Sequence, residues 1–237
     1  MAKIKMGLPM QMGIGMVAGV LVGVVAQDWA LGSAVFKFLG DIFIRLIRMV
    51  VVPLVFATLV AGAAGISDTT KLGRVATKTL LYYLITTAVS VAVGLLLANI
   101  VQPGAGVNLS TDNLHVKPVT PPALNDTLMN LIPINPVEAM SRGNMLQIII
   151  FAIIFGFGIS SLGESGRHLH RFFDSCGEVM IKVTGFVMHY APIGVFGLMA
   201  YTVTKHGLAV LLPLGKVILL MYAGCAILYC FMFRSEE

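Results

Sequence analysis

Of the 237 residues, 57% are hydrophobic and only 11% charged, against about 25% charged in an average soluble protein, and the mean hydropathy is +0.91. A soluble globular enzyme of this composition would lack the polar surface to cover itself, and disorder needs low hydropathy with high charge, so both are excluded. The net charge of +5 comes from basic residues scattered singly between apolar runs, which fits short cytoplasmic loops rather than a nucleic-acid surface. The apolar runs are long and continuous, unlike the alternating ten-residue segments of an outer-membrane barrel. An all-α polytopic membrane protein remains. Cys176, Cys225 and Cys230 are odd in number and two lie in the last apolar run, so they form no disulfide framework and read as small apolar side chains.

Six spans are expected, the fourth of them broken. The first covers residues 6–26, after Lys3 and Lys5. Its basic start resembles a signal peptide, but the run is long enough to cross and other apolar runs follow. Its glycines, Gly13, Gly15, Gly19 and Gly23, are partly at the small-xxx-small spacing that lets another helix approach. The second span covers 36–66 and begins with Lys37, Asp41, Arg45 and Arg48. The last three share one helix face, which reads as an interfacial or subunit-contact surface. Pro53 removes a backbone donor in this span and is expected to bend it. Asp68, Lys71, Arg74 and Lys78 mark a polar loop, and the third span covers 79–101.

Residues 102–126 contain Pro103, Gly104, Gly106, Pro118, Pro121 and Pro122, the pattern of an extended external loop. Residues 127–162 are apolar but interrupted by Pro133, Pro136 and the turn Arg142, Gly143, Asn144. Two short helical pieces and a full helix from Met145 are expected there. Such a break at membrane depth requires cover from other protein or a water-filled cavity. A loop with Glu164, Arg167, His168, His170 and Arg171 leads to the fifth span, 174–203, with Pro192 inside it, and the sixth covers 208–233. The basic loop residues fall mostly on the side of Lys3, Lys5, Lys71, Arg74, Lys78, Arg167 and Arg171. By the positive-inside rule that side, with both termini, is cytoplasmic.

Enzyme motifs are missing from the sequence: no His-Glu-x-x-His pair, nucleophile elbow, phosphate loop or dinucleotide-binding glycine pattern occurs. His168 and His170 read as solvated residues of a basic loop, and His189 as a hydrogen-bonded packing residue rather than a proton relay. Glu178 and Lys182, four apart, are expected to pair on a helix surface. The most informative cluster is Tyr83, Thr86, Thr87 and Ser90 in the third span, spaced i, i+3, i+4 and i+7. Four hydroxyls on one helix face can partly replace the hydration shell of a hard alkali cation. The same residue types also serve packing, by bonding to their own helix or to a neighbour. The sequence places no membrane-embedded acid opposite them, so both readings stand.

Several segments together carry a family resemblance. They are RLIRMVVVPLVFATLVAGAAGI (45–66), LGR (72–74), YYLITT (82–87), VQPGAGVN (101–108), IPINPVEAMSRGNMLQIIIFAIIFGFGI (132–159) and YAPIGVFGLMAYTV (190–203). In order, and over nearly the whole chain, they resemble the dicarboxylate/amino acid:cation symporter family, the glutamate transporters. The resemblance implies a homotrimer in the cytoplasmic (inner) membrane and an inverted repeat of three spans against three. It further implies a fixed scaffold of spans one, two, four and five, and a moving domain that includes spans three and six. The Tyr-x-x-Thr-Thr pattern implies a cation site at Tyr83, Thr86 and Thr87. The family's later hairpins and spans seven and eight, which carry its substrate-binding residues, have no counterpart here, so the sequence reads as the N-terminal portion of such a carrier. The implied activity is symport of glutamate, aspartate or a C4-dicarboxylate with sodium ions or protons, without a further cofactor. The alternative is a non-transporting membrane scaffold that only oligomerises.

Overall fold

The computed structural model describes residues 7–26, 30–65, 69–103, 124–208 and 211–234. Lys3, Lys5, Asp68, most of the expected external loop with Lys117, and the last three residues lie outside these. Among the described residues the fold is all-helical, with α1 Leu8–Val25, α2 Ala30–Ala64, α3 Thr69–Val101, α4 Leu124–Met129, α5 Pro136–Arg142, α6 Met145–Ser161, α7 Arg167–His206 and α8 Leu211–Arg234. Among the described residues five helical segments, in α1, α2, α3, α7 and α8, are long and apolar enough to cross a membrane, and α6 is a shorter apolar helix.

Three helices begin before their expected spans, α2 at Ala30 rather than at residue 36. Thr69 opens α3, so Lys71, Arg74 and Lys78 belong to a helix and not to a loop. Similarly, α7 begins at Arg167, directly after a 3-10 turn at Gly163–Gly166. Lysine, arginine and leucine are good helix formers, so a polar stretch flanking a span extends the helix past the membrane rather than ending it. Both α2 and α7 run on through Pro53 and Pro192.

The interruption between α4 and α6 is built from local signals. Asn135 caps α5, its Oδ1 accepting from the backbone N–H groups of Val137 at 3.0 Å and Glu138 at 3.4 Å. Pro136 occupies the first turn, where its missing N–H is of no consequence. Gly143, at φ 66°, ends the helix in the left-handed conformation. Gln147 at the start of α6 then donates from Nε2 to the Asn130 carbonyl at 2.9 Å, which ties the broken segment together.

Four helices form one bundle, in which α7 packs on α1 and α2, and α6 packs on α2. Alongside α1 the chain of α7 runs parallel: Cβ atoms built on Gly15, Gly19 and Gly23 would meet the Pro192 carbonyl oxygen at 2.5 Å, the Phe196 carbonyl oxygen at 2.6 Å and the Val203 Cβ at 2.8 Å. The same device joins α6 to α2, also in parallel, where a Cβ on Gly156 would stand 2.5 Å from the Ala63 Cβ and 2.8 Å from the Val60 carbonyl oxygen. Close approach of this kind is how helices associate in lipid, where burial from water supplies no driving force. Between them α2 and α7 run antiparallel, with Phe36 against Phe196 at 5.9 Å at one end and Phe56 against Phe173 at 5.8 Å at the other. Phe151 of α6 stacks on Phe56 at 5.9 Å and joins the three helices.

Outside this bundle, α3 and α8 pack against each other, and neither has a comparable contact with another helix among the described residues. No residue in the apolar window of either helix is buried.

Candidate functional site

The hydroxyl residues lie on the isolated α3/α8 pair. At about 100° per residue, Tyr83, Thr86, Thr87 and Ser90 spread over about 100° of the helix face, and α8 covers only one edge of that arc. Thr86 and Ser90 are half-buried, in line with Val93 and Leu97. On α8 the half-buried line is Leu220, Gly224 and Leu228, and a Cβ built on Gly224 would lie 3.5 Å from Leu97 Cδ1. Tyr83, 62% exposed, and Thr87 lie on the open side. The structure therefore divides the four: one pair faces α8 and the other faces away.

Their hydrogen bonds are local. Thr86 donates to the Tyr82 carbonyl at 2.9 Å, with the Tyr83 carbonyl at 3.1 Å, and Ser90 donates to the Thr86 carbonyl at 2.7 Å. A hydroxyl has one proton and two lone pairs. With the proton turned into the helix, the lone pairs of Thr86 and Ser90 point away from it, the orientation a cation requires. One helix alone cannot encircle a hard cation, which takes several oxygens. Among the described residues no group of three or more His, Cys, Asp or Glu side chains could hold a metal ion.

Other expected residues sit apart from this face. His189 is exposed on α7, and its Nδ1 lies 2.7 Å from the Gly185 carbonyl. A carbonyl only accepts, so Nδ1 carries the proton and the ring is tied to its own helix. His168 is exposed and His170 half-buried, at the start of α7. Glu178 and Lys182 are both exposed, and no ion pair joins them; holding two long solvated side chains in one geometry gains too little to fix them. Among the described residues the ion pairs that form are Arg142 with Glu138 at 2.7 Å and Arg167 with Glu164 at 3.3 Å. Arg142, read from the sequence only as part of a helix-interrupting turn, shares a cavity with Arg48. Hydropathy could not pair them, because their meeting depends on how α6 docks along α2.

The chain is similar to known transporters over almost its full length. A family model described as the sodium:dicarboxylate symporter family matches residues 8–235. The chain therefore belongs to that family, which is one of transporters. It is 40% identical over 227 residues to the proton/sodium-glutamate symport protein of Bacillus caldotenax, covering 92% of this chain and 54% of the relative. Identity is 39% over 239 residues to the C4-dicarboxylate transport protein of Anaeromyxobacter sp. (strain K), covering 98% and 54%. With the proton/glutamate-aspartate symporter of Escherichia coli (strain K12) it is 41% over 239 residues, covering 94% and 54%. The chain spans about half the length of the curated relatives it matches.

Proposed function

We propose that this chain belongs to a secondary carrier that imports an acidic amino acid or a C4-dicarboxylate together with sodium ions or protons. In this reading it supplies the fixed scaffold, α1, α2, α6 and α7, and two helices of the moving part, α3 and α8. The observation that carries the reading is the division of the molecule: α3 and α8 pair with each other and stand apart from a glycine-packed bundle. A part that must travel across the membrane cannot be interlocked with the part that stays. The packing also supports an inverted repeat of α1–α3 against α6–α8. Exchanging the halves turns the α1–α7 contact into the α6–α2 contact and leaves the α2–α7 and α3–α8 contacts unchanged.

In this carrier the membrane is the cytoplasmic membrane, both termini face the cytoplasm, and the protein assembles as a homotrimer. Tyr83, Thr86 and Thr87 contribute oxygens to the coupling-cation site, with Ser90 beside them. Coupling arises because cation and substrate favour the same loaded state. A second reading, a scaffold that oligomerises without transporting, is favoured by the single-helix origin of those oxygens.

Proteoliposome uptake separates the two. The chain is reconstituted alone and with the portion of the Bacillus caldotenax relative that it does not cover, and labelled aspartate or succinate is supplied under a sodium or proton gradient. Uptake that follows the gradient supports the carrier, and flat uptake in both preparations, with insertion verified, supports the inert scaffold. In a transporting preparation, Thr86→Ala weakens the apparent cation affinity by about tenfold, the loss of one charge-assisted contact of about 1.4 kcal/mol. Unchanged cation dependence removes Thr86 from the site.

A further inference from the structure

Two arginines from different helices open onto one cavity. Arg48 of α2 and Arg142 at the end of α5 line a volume of ≈ 570 Å³ whose wall includes Met49, Val52, Met140 and Met145. Arg48 is exposed and has no ion-pair or hydrogen-bond partner among the described residues. Arg142 holds Glu138 Oε1 through one nitrogen at 2.7 Å, with 76% of its side chain exposed. A guanidinium carries five N–H donors, so most of the donors at this cavity are unused.

The balance of charge here is positive. Glu138 offsets one arginine, Arg45 stands about one turn from Arg48 on the same stripe of α2, and Asp41 lies farther back, about 10 Å from Arg48 along the helix axis. The start of α6 adds to the field. Met145, its first residue, lines the cavity with Gly143, and no side chain caps this helix of 17 residues. Its first amide N–H groups therefore keep their partial positive charge. That helix end only reinforces the field, and the two guanidiniums carry the recognition.

We propose that this cavity binds a small dicarboxylate without an amino group, one carboxylate on Arg48 and the other on Arg142, its methylenes against the methionine and valine side chains. The planar fork of an arginine matches a carboxylate, and two forks on separate helices answer two carboxylates. The apolar wall suits the CH2 groups between them, which a compact dianion such as phosphate lacks. An amino acid would bring an ammonium group into a positive field, where Glu138, the acid beside Arg142, is already held. The cavity is built by α2, α5 and α6, so it is separate from the hydroxyl face of α3. The choice of ligand rests on the carrier reading above, but binding needs neither a gradient nor movement. A chain that binds without transporting, or transports without binding, separates the two.

Isothermal titration of the full chain in neutral detergent at low salt, with succinate, aspartate, acetate and inorganic phosphate as separate probes, tests it. Succinate is expected to bind at one site, about tenfold more tightly than any of the other three, a ratio that one charged hydrogen-bonded contact supplies. Arg48→Gln and Arg142→Gln each weaken succinate binding by about tenfold on the same ground. Arg48→Lys, which keeps the charge and loses the fork, weakens it less than Arg48→Gln does. Arg167→Gln, away from the cavity, leaves it unchanged. Both arginines are exposed, so unchanged helicity and melting of the variants separate lost binding from lost folding. Undiminished succinate binding in Arg48→Gln combined with Arg142→Gln, no binding by the parent chain, or any of the other three probes binding as tightly as succinate overturns the proposal.

Discussion

A Cβ built on Gly156 in α6 meets the Ala63 Cβ and the Val60 carbonyl within 2.8 Å, whereas one built on Gly94 in α3 meets nothing within 4 Å. The contrast holds for the glycines at the contacts between bundle helices, while Gly13, Gly62, Gly158 and Gly185 on the outer faces of the bundle meet nothing. Glycines at the α1–α7, α2–α6 and α2–α7 contacts are there because backbones touch, and those of Gly194 and Gly197 press on Phe43 and Phe36. Gly94 and Gly215, on α3 and α8, face open space. One region is assembled by fit and has a single arrangement. The other is a pair of helices whose wider surroundings the described residues do not supply, and it carries the hydroxyl groups.

Substitutions at these glycines test the contrast directly. Gly156→Val places branched carbon against the backbone of α2, and overpacking of a tight contact costs about 3 kcal/mol; the loss of a monodisperse elution peak in detergent at temperatures the parent chain survives reads it. If Gly156→Val melts like the parent, the close approach of α6 to α2 is wrong. Tyr190→Phe removes the hydroxyl of α7 that lies 3.4 Å from the Leu39 carbonyl of α2. Interhelical bonds in membranes average about 0.6 kcal/mol, so its melting shifts by only a degree or two, and a larger shift would mean that polar contacts rather than fit hold the bundle. Gly94→Ala has the smallest expected effect and the opposite sign, a gain of about 0.5 kcal/mol from helix propensity. Marked destabilisation by Gly94→Ala in this chain would show that α3 is packed on that side after all.

The helices were legible in the sequence wherever hydropathy and local signals agreed. Pro133, Pro136 and the Arg142–Asn144 turn located the broken segment because the Asn135 cap and the left-handed Gly143 are local devices. The starts of α3 and α7 were not legible. A hydropathy window finds the part of a helix that suits lipid, and residues 69–78 and 167–173 are helical without being apolar. At the hydroxyl face the spacing gave the right helix and a common face but not its division, because that division depends on α8, a helix more than a hundred residues away in the chain. The meeting of Arg48 with Arg142 was hidden for the same reason. One arginine read as part of a charged helix face and the other as part of a turn, and they line one cavity only because α2 and α6 lie side by side in parallel.

No polar or charged side chain is buried among the described residues. The cohesion of the four-helix bundle is then chiefly dispersion between closely set backbones and aromatic rings, a force indifferent to ionic strength. Salt acts instead on the exposed charged side chains, Arg48, Arg142, Glu164 and Arg167 among them. A change in electrolyte therefore alters what this protein attracts at its rims while leaving the shape of its interior as it was.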